Sequence, residues 1–551
     1  MKRSFFLTSA IYGFLTGLVL LALSYLGNTW FKLPFLPFDL FDWLTRHLPG
    51  SLIEAGIRSM VSIIIALHLG PTDTIAKLAE QIQALGVVLV TGIFFSLILA
   101  WIELRRPTQM RSAGIWGGVV LWLGTVIVEF SLPQLGANLW VGLTWLFGLL
   151  AGWGWVLARL IDDYAQAKQA GKTQTQPTPQ NVTRRNFIFL TGTSLVSLIV
   201  LIFGLGKYNR AKSTASLPDP NSVPSFTPVQ PVLNGPDSTS GPAASPSQAV
   251  LAKRIEPAPG TRAEITPVDK FYRIDINTLP PVVDAASWRF QLKGMVQKPL
   301  TLTLDEIQSR PAFSQAVTLS CISNPVGGDL ISTNYWTGVR FKDILAEAGL
   351  NTNVKYINVM AYDGFYESIP IEEAMDERTL LVYAINGQML PNEHGFPLRV
   401  FIPNHYGMKQ PKWITQMVVT DMPGAGYWVE RGWSMTAIPQ TTSVIDTTSV
   451  DQNELKNSGI MPLGGIAYAG GRGIHKVEVQ IDDGAWQEAQ LRNPAVSPLA
   501  WMQWRFDLKP APGNHRISVR ATDGTGVLQT TDQNDVAPNG ATGIYSVDIR
   551  I

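Results

Sequence analysis

Apolar residues are distributed unevenly along the chain, and this distribution restricts the possible folds more than any other feature. A helix needs about 20 predominantly apolar residues to cross the hydrocarbon core of a bilayer. Five such stretches lie near 5–27, 81–101, 113–131, 138–159 and 186–206. The whole chain is 46% hydrophobic and only 15% charged, which is too apolar for an ordinary soluble protein. We therefore predict an α-helical membrane bundle over residues 1–210.

A further apolar stretch, residues 51–69, is ambiguous. Glu54 and Arg58 lie one helical turn apart, with Ser51 and Ser62 on the same side, which is typical of an amphipathic helix at the membrane surface. Positive charge is expected on the cytoplasmic side of the spans. The lysines and arginines around the predicted spans agree with this rule only if the ambiguous stretch does not cross. Five spans then place the rest of the chain on the extracytoplasmic side.

The last predicted span is preceded by the sequence TRRNFIF, in which Arg184 and Arg185 stand just before the apolar run. The pair could be an ordinary positive anchor on the cytoplasmic side. It also resembles a twin-arginine signal, whose machinery exports proteins already folded around a cofactor. The second interpretation predicts a cofactor in the part of the chain that follows.

Composition changes after the last predicted span. Residues 211–260 contain 10 prolines and 8 serines, so we predict an extended linker. Beyond it, WRFQLKGMV, LTLTLDEI, KYINVMAY and LRVFIPN indicate strands, whereas FKDILAEAGL and PIEEAMDERTL indicate short helices. This mixture predicts an α+β domain over 261–423. From 424 to 551, alternating strands around Asp-Asp-Gly and Asp-Gly turns predict a C-terminal immunoglobulin-like β-sandwich.

The chain has one cysteine, Cys321. A lone cysteine is often a small buried hydrophobe with no chemical role. Cys321, however, follows an apolar strand and opens the loop CISNPVGGD, a type of position where side chains project into sites. A thiol protease is disfavoured, although His394 and His405 leave it open. The residue is therefore a candidate for chemistry, and the twin-arginine interpretation of Arg184 and Arg185 predicts a cofactor.

Several longer segments together resemble one protein family. They are FYRIDINTLPPVVDAASWRFQLKGMVQKPLTLTLDEI, VTLSCISNPVGGDLISTNYWTGVRFKDIL, YESIPIEEAMDERTLLVYAINGQMLPNEHGFPLRVFIPNHYGMKQPKWI and GYWVERGW. Their order is similar to that of the sulfite oxidase family of molybdenum-pterin oxidoreductases, and the resemblance continues into that family's dimerisation-type domain. It covers about 261–551. The resemblance implies a mixed α+β molybdopterin domain followed by an immunoglobulin-like domain.

By this resemblance Cys321 is the thiolate ligand of molybdenum in a molybdenum-molybdopterin cofactor, and a soft thiolate suits such a metal. The resemblance also implies two further groups of site residues. Those near the cofactor are Tyr272, Arg273, Ser323, Asn324, His394, Arg399, Gly407, Met408 and Lys409. Tyr366 and Ser368 are implied to lie near the metal in a catalytic role, where a hydroxyl could donate to a substrate oxygen.

The loop after the cysteine departs from the family. Animal and plant sulfite oxidases carry arginines there, but Ile322–Gly328 contains no cation. Arg431 could compensate. We therefore predict oxygen-atom or two-electron transfer with a neutral or zwitterionic substrate such as a sulfoxide. A sulfite dehydrogenase is the alternative within the enzyme class, and a cofactor-free surface-binding module on the same fold is the alternative outside it.

The predicted partners follow from these interpretations. They are a small-molecule substrate, the lipid bilayer, and an electron-transfer partner such as a soluble cytochrome or a quinone-linked protein. The resemblance also implies a homodimer formed through the C-terminal domain. A net charge of +1 and the lack of a basic stripe with interleaved aromatics argue against nucleic acid as a partner.

Overall fold

The computed structural model describes residues 2–132, 139–170, 179–214, 251, 253–447, 459–509 and 511–550. The predicted linker therefore lies largely outside the described residues. Within them, the N-terminal part is helical. Its helices are α1 (Lys2–Phe31), α2 (Leu36–His47), α3 (Gly50–Ala66), α4 (Thr72–Arg105), α5 (Met110–Ser131), α6 (Leu139–Ala170) and α7 (Pro179–Thr214).

Four stretches of this part are long and apolar enough to cross a membrane. They are Arg3–Phe31, Thr72–Arg105, Pro107–Ser131 and Leu139–Lys168, and they correspond to the first four predicted spans. The fifth predicted span lies in α7, where the described apolar stretch is the shorter Phe187–Phe203. It stays a prediction. The ambiguous stretch is largely helical as α3, which meets α2 at a bend of 119°; its place at a membrane surface also stays a prediction.

Helices α5 and α6 approach each other closely because glycines face one another at their contact. An ideal Cβ on Gly114 would lie 2.4 Å from the carbonyl oxygen of Gly154, and one on Gly154 would lie 2.2 Å from that of Gly114. No side chain fits in this space. Small residues at helix contacts let backbones approach closely, as is common in membrane helix pairs.

Residues of the described chain cluster into two compact units. The first comprises 1–48, 75–215 and 275–282, and the second comprises 49–74, 216–274 and 283–551. The predicted domain boundaries themselves stay predictions. Residues 49–74 belong with the C-terminal domains, and residues 275–282 belong with the helices.

The first half of the second unit is a mixed α+β domain, as predicted. Its strands are β1 (Phe290–Gly294), β2 (Leu300–Leu302), β3 (Phe313–Ser320), β4 (Ile331–Arg340), β5 (Tyr356–Ala361), β6 (Tyr366–Pro370), β7 (Leu380–Ile385), β8 (Gln388–Met389), β9 (Arg399–Phe401) and β10 (Ile414–Thr420). Its helices are α8 (Leu304–Gln308), α9 (Phe341–Ala348) and α10 (Ile371–Ala374). One sheet has the order β2-β1-β10-β5-β6, and the other has the order β3-β4-β7-β8 with β9 beside β7.

The prediction of one strand over LTLTLDEI is wrong in its second half. The strand β2 ends at Leu302, and Thr303 caps α8. The Thr303 hydroxyl accepts from the Glu306 backbone N–H at 3.2 Å, while the Glu306 carboxylate accepts from the Thr303 N–H at 2.8 Å. This capping box satisfies two N–H groups at the helix start. The Thr-x-x-Glu spacing indicates this helix start, but the strand propensity of LTLTLDEI outweighed it in the prediction.

The C-terminal domain is built from strands alone apart from short turns, within the described residues. The strands are β11 (Thr442–Ile445), β12 (Met461–Tyr468), β13 (Ile474–Ile481), β14 (Gln487–Glu488), β15 (Gln490–Leu491), β16 (Met502–Leu508), β17 (Asn514–Asp523) and β18 (Tyr545–Arg550). They form two four-stranded sheets, β11-β12-β16-β15 and β14-β13-β17-β18. Residues of both sheets, such as Leu463, Trp504, Val477 and Ile517, share one core. The predicted alternation is confirmed, and the immunoglobulin type stays a prediction.

Candidate cofactor site

Cys321 directly follows β3 and opens a tight loop. Its backbone N–H donates to the Leu330 carbonyl at 2.9 Å, and its carbonyl accepts from the Asn324 N–H at 3.1 Å. The Asn324 side-chain oxygen in turn accepts from the Leu330 N–H at 2.9 Å. The predicted cofactor residue Asn324 therefore uses its side-chain oxygen to close the loop, and the loop fixes where the cysteine points.

The thiol of Cys321 is buried, with 8% of the residue exposed. The Ser323 hydroxyl oxygen lies 3.0 Å from its Sγ, so this predicted residue contacts the sulfur directly. Burial raises the pKa of the Cys321 thiol, and the hydrogen bonds from Ser323 and the Ile322 backbone oppose this only in part. Because a bound metal ion favours the thiolate, the position suits a sulfur that is charged only when it is a ligand.

Three predicted segments meet beside this thiol. Tyr272 is buried, and its pKa is raised well above the usual value, first by burial and next by the charge of Cys321. An ideal Cβ on Gly407 would lie 3.2 Å from the Tyr272 hydroxyl and 3.7 Å from the Ser320 carbonyl oxygen. The structure therefore brings Tyr272, Cys321 and Gly407 together, although they come from segments far apart in the sequence.

Arg399 is a buried cation. It is 5% exposed, its guanidinium lies 4.6 Å from the Trp336 ring centre, and it donates to the His394 carbonyl at 3.0 Å. Its Nε has no hydrogen-bond partner, and no carboxylate of the described residues forms an ion pair with it. Burial lowers the pKa of Arg399 to about 10. A buried, uncompensated charge is costly, so the position suits an anionic ligand.

His394 lies in the same positive environment. It is buried, and Phe271 packs edge-on to its ring at 5.0 Å. The pKa of His394 lies well below its usual value, because of burial first and then the positive charges of Lys412, Arg399 and Arg273. His394 is therefore a neutral imidazole among three cations, Arg273, Arg399 and Lys412, which we call the cationic cluster. Lys412 was missed from the sequence, although it stands three residues after the predicted Lys409.

Lys409 itself has a different environment. Its Nζ lies 2.8 Å from Glu367 Oε1, and both side chains are buried. Burial raises the pKa of Glu367, while the charge of Lys409 opposes that shift. The ammonium group of Lys409 is therefore already paired within the protein, and Arg399, which has no carboxylate partner among the described residues, is the better candidate for holding an anion.

Glu367 was also missed, and it stands between two residues that were predicted. Successive side chains of a strand point to opposite faces, so Tyr366 and Ser368 point away from the face of β6 that Glu367 presents to Lys409. The Tyr366 hydroxyl donates to Glu430, and the Ser368 hydroxyl donates to the Asn358 side-chain oxygen at 2.8 Å. Among the described hydrogen bonds, none joins either residue to the Cys321 loop.

The other side of the Cys321 loop is apolar. Ile322, Tyr406, Met408 and Trp433 pack in one buried cluster, which we call the apolar wall. The pKa of Tyr406 is raised to about 12 by burial, and the charges of Cys321 and Arg472 also act on it. Arg472, from the C-terminal domain, is paired with Asp523 at 2.8 Å. The side chain of Met408 thus packs beside the site, and a role of its backbone N–H in holding an anion stays a prediction.

Two family models match the chain in succession. The oxidoreductase molybdopterin binding domain matches residues 277–428, and the Mo-co oxidoreductase dimerisation domain matches residues 434–537. Human mitochondrial sulfite oxidase is 30% identical over 312 residues, which cover 48% of this chain and 57% of that protein. The chain belongs to the sulfite oxidase family.

Two further relatives of this sulfite oxidase family member are bacterial. The uncharacterized oxidoreductase YuiH of Bacillus subtilis is 31% identical over 161 residues, which cover 29% of this chain and 79% of that protein. The "Putative protein-methionine-sulfoxide reductase subunit YedZ1" of Azospira oryzae is 34% identical over 152 residues, covering 28% of this chain and 56% of that protein. The chain thus spans a little over half the length of the human and Azospira relatives.

Membership of the family identifies an enzyme class and implies a molybdenum cofactor. The site residues fit that group, because a buried thiol and a buried cation without a carboxylate partner lie near the same tyrosine, Tyr272. Cys321 would hold the metal, and the cationic cluster would hold the anionic end of the pterin. Tyr272 and Arg273 lie just before the region that the family model matches, so the site extends beyond it.

Proposed function

We propose that this protein is a membrane-anchored molybdenum enzyme that reduces a neutral sulfoxide. The sulfoxide oxygen leaves as water, with two protons and two electrons supplied from outside the protein. The molybdenum cofactor supplies this two-electron chemistry when it is bound. The chain's own residues bind, orient and shield: Cys321 holds the metal, the cationic cluster holds the pterin, and the apolar wall receives the uncharged part of the substrate.

The observation that carries the proposal is that, among the described residues, the cations around the Cys321 loop other than Arg399, which we assign to the pterin, are already engaged within the protein. The loop Ile322–Gly328 has no cation, and Arg472 is paired with Asp523. The guanidinium of Arg431 lies 3.6 Å from the Tyr427 ring centre and donates to the Tyr427 carbonyl at 2.7 Å. A sulfite dianion would gain little attraction here, whereas a sulfoxide with an apolar substituent suits the apolar wall. The name of the Azospira relative supports the same substrate class.

We expect the purified enzyme to reduce methionine sulfoxide with electrons from a reduced dye. The kcat/KM for this reaction should exceed the kcat/KM for sulfite oxidation by at least about 100-fold.

An Asp523→Asn variant leaves the Arg472 charge uncompensated, so its activity with sulfite should rise. Asp507→Asn is the matched control, because Asp507 pairs with Arg505 at 2.8 Å in the same domain but is partly exposed. Sulfite oxidation that exceeds sulfoxide reduction in the parent would favour the sulfite dehydrogenase instead.

We also propose that the catalytic part lies on the extracytoplasmic side. The four long apolar helices support a membrane anchor, and the distribution of basic residues supports this orientation. Replacing Arg184 and Arg185 with lysines should leave the cofactor domain in the cytoplasm, because a twin-arginine signal needs both guanidinium groups whereas a positive anchor does not. Protease protection in sealed vesicles measures this. Unchanged export of the double variant would leave the pair as an ordinary anchor.

The proposed partners follow from the same arrangement. Electrons would come from a soluble cytochrome or a quinone-linked protein. The reduced dye takes the place of this donor in the assay. The dimerisation model over residues 434–537 supports pairing of two copies through the C-terminal domain.

A further inference from the structure

The first turn of α4, Thr72–Thr74, belongs to the same compact unit as the cofactor residues. It is more than 190 residues away from them in the sequence. Thr72 is buried, with 4% of the residue exposed. The turn is therefore packed into the unit that contains the site, and two hydrogen bonds show what it contacts.

The first bond joins the turn to the segment that carries Tyr272. The Asp73 Oδ2 atom accepts from the backbone N–H of Arg273 at 2.8 Å. Its other oxygen, Oδ1, accepts from the Thr74 N–H at 2.7 Å. A carboxylate that bonds two backbone N–H groups fixes both backbones, and such charge-assisted bonds are among the stronger ones in proteins. Asp73 thereby fixes the backbone position of Arg273, which is one member of the cationic cluster.

The second bond joins the same turn to the Cys321 loop. The Thr72 backbone N–H donates to Asp329 Oδ2 at 2.9 Å. The first N–H groups of a helix have no partner within the helix, and a carboxylate there also interacts favourably with the helix dipole. Asp329 precedes Leu330, whose carbonyl accepts from the Cys321 N–H at 2.9 Å. The bond to the turn and the bond that places the cysteine are thus made by two consecutive residues, Asp329 and Leu330.

We propose that Asp73 and Asp329 are positioning residues for the cofactor, acting through the Thr72–Thr74 turn. The turn holds the Tyr272–Arg273 segment and the Cys321 loop at a fixed separation, so the pterin-binding cations and the metal-binding sulfur are set at the distance that one cofactor requires. This inference rests on the family's cofactor and is independent of the proposed substrate.

Its test uses the full chain in detergent with Asp73→Asn and Asp329→Asn, singly and together. In cofactor-free protein, the Arg273 amide should exchange hydrogen about 10-fold faster in Asp73→Asn, because a charge-assisted bond is weakened. In loaded protein, both variants should shift the Mo(V) paramagnetic resonance and lose pterin about 10-fold faster on dilution. The double variant should lose little more than either single variant, because both residues act through one turn.

The matched control is Asp284→Asn. Asp284 also bonds a backbone N–H, that of Ala286 at 3.2 Å, and the Ser287 hydroxyl at 2.7 Å, but both partners lie in its own loop. It should leave the metal spectrum and pterin retention unchanged. Asp329 is exposed, so its variant should fold even if Asp73→Asn does not. The proposal is overturned if the folded variants have the parent's Mo(V) spectrum and pterin retention. A lower unfolding temperature with both of these unchanged would also overturn it.

Discussion

The Arg399→Met variant is expected to lose its pterin cofactor and, when cofactor-free, to be more stable than the parent protein. The two effects have one cause. The Arg399 guanidinium is buried without a carboxylate partner among the described residues, so it destabilises the empty site and stabilises the filled one. Methionine fills similar space beside Trp336 without a charge.

The size of the effect follows from the pKa of Arg399, which burial lowers from 12.5 to about 10. One pKa unit corresponds to about 1.4 kcal/mol, so the charged form costs the fold about 3 kcal/mol, within the range measured when buried ionic groups are replaced by apolar ones. Below the folded-state pKa the guanidinium is charged in both states, so the folded state is destabilised by the full amount. The destabilisation decreases only as pH rises through about 10, where the folded state begins to lose the proton. We therefore expect the gain in stability to be constant from pH 6 to about 9.

Thermal unfolding of cofactor-free parent and variant in detergent measures the first effect, and pterin content of protein purified from a cofactor-producing host measures the second. Arg340→Met is the control, since its guanidinium also stacks on a ring, 3.8 Å from the Phe313 centre, but is partly exposed. It should change neither quantity greatly. Full pterin content in Arg399→Met would mean that the cationic cluster is not the pterin site.

Cys321→Ser is expected to reduce turnover by at least about 100-fold while leaving pterin bound. Loss of groups that merely support a metal ligand already costs 10-fold to 100-fold, and a hydroxyl is a harder, less acidic ligand than a thiolate. The cationic cluster is untouched by the change, so pterin content should stay near that of the parent. Metal analysis and the Mo(V) spectrum should show loss of metal or an altered ligand set.

Ser323→Ala is the matched control for this variant. It removes the hydroxyl 3.0 Å from the sulfur but keeps the sulfur, so we expect about a 10-fold effect at most. Arg399→Met and Cys321→Ser should thus separate pterin binding from metal binding. Parent-like metal content, spectrum and turnover in Cys321→Ser would refute the assignment of Cys321 as ligand.

The sequence was enough to predict those helices and strands that depend only on the residues within them. The first four spans follow from length and hydropathy, and the strands around Val477 and Ile517 follow from alternation. The start of α8 did not, because strand propensity in LTLTLDEI outweighed the capping signal at Thr303. Division of the chain into units depends on contacts between distant segments, which no window of sequence reveals.

The site shows the same limit. Cys321, His394 and Arg399 were found because the family resemblance carries them as residues, and the structure places Arg399 beside His394 and in a buried position. Glu367 was missed in favour of its neighbours Tyr366 and Ser368, although strand alternation allows only one of the two faces to meet Lys409. Asp73 has no local signal at all, since its partner Arg273 lies 200 residues away.

The order of strands in the first sheet of the cofactor domain has a consequence for how the enzyme is assembled. The strand β10 lies between β1, its parallel neighbour, and β5, so the sheet stays divided until β10 is inserted. Lys412 and the Gly407–Lys409 turn immediately precede that strand, and the buried Trp413 indole bonds the Asn392 carbonyl at 2.7 Å. Closure across such a long chain separation is slow, and inserting β10 also brings in the segment that is predicted to contact the cofactor. Folding and cofactor capture are therefore expected to be one cooperative event, with the unloaded chain opening first at its central strand.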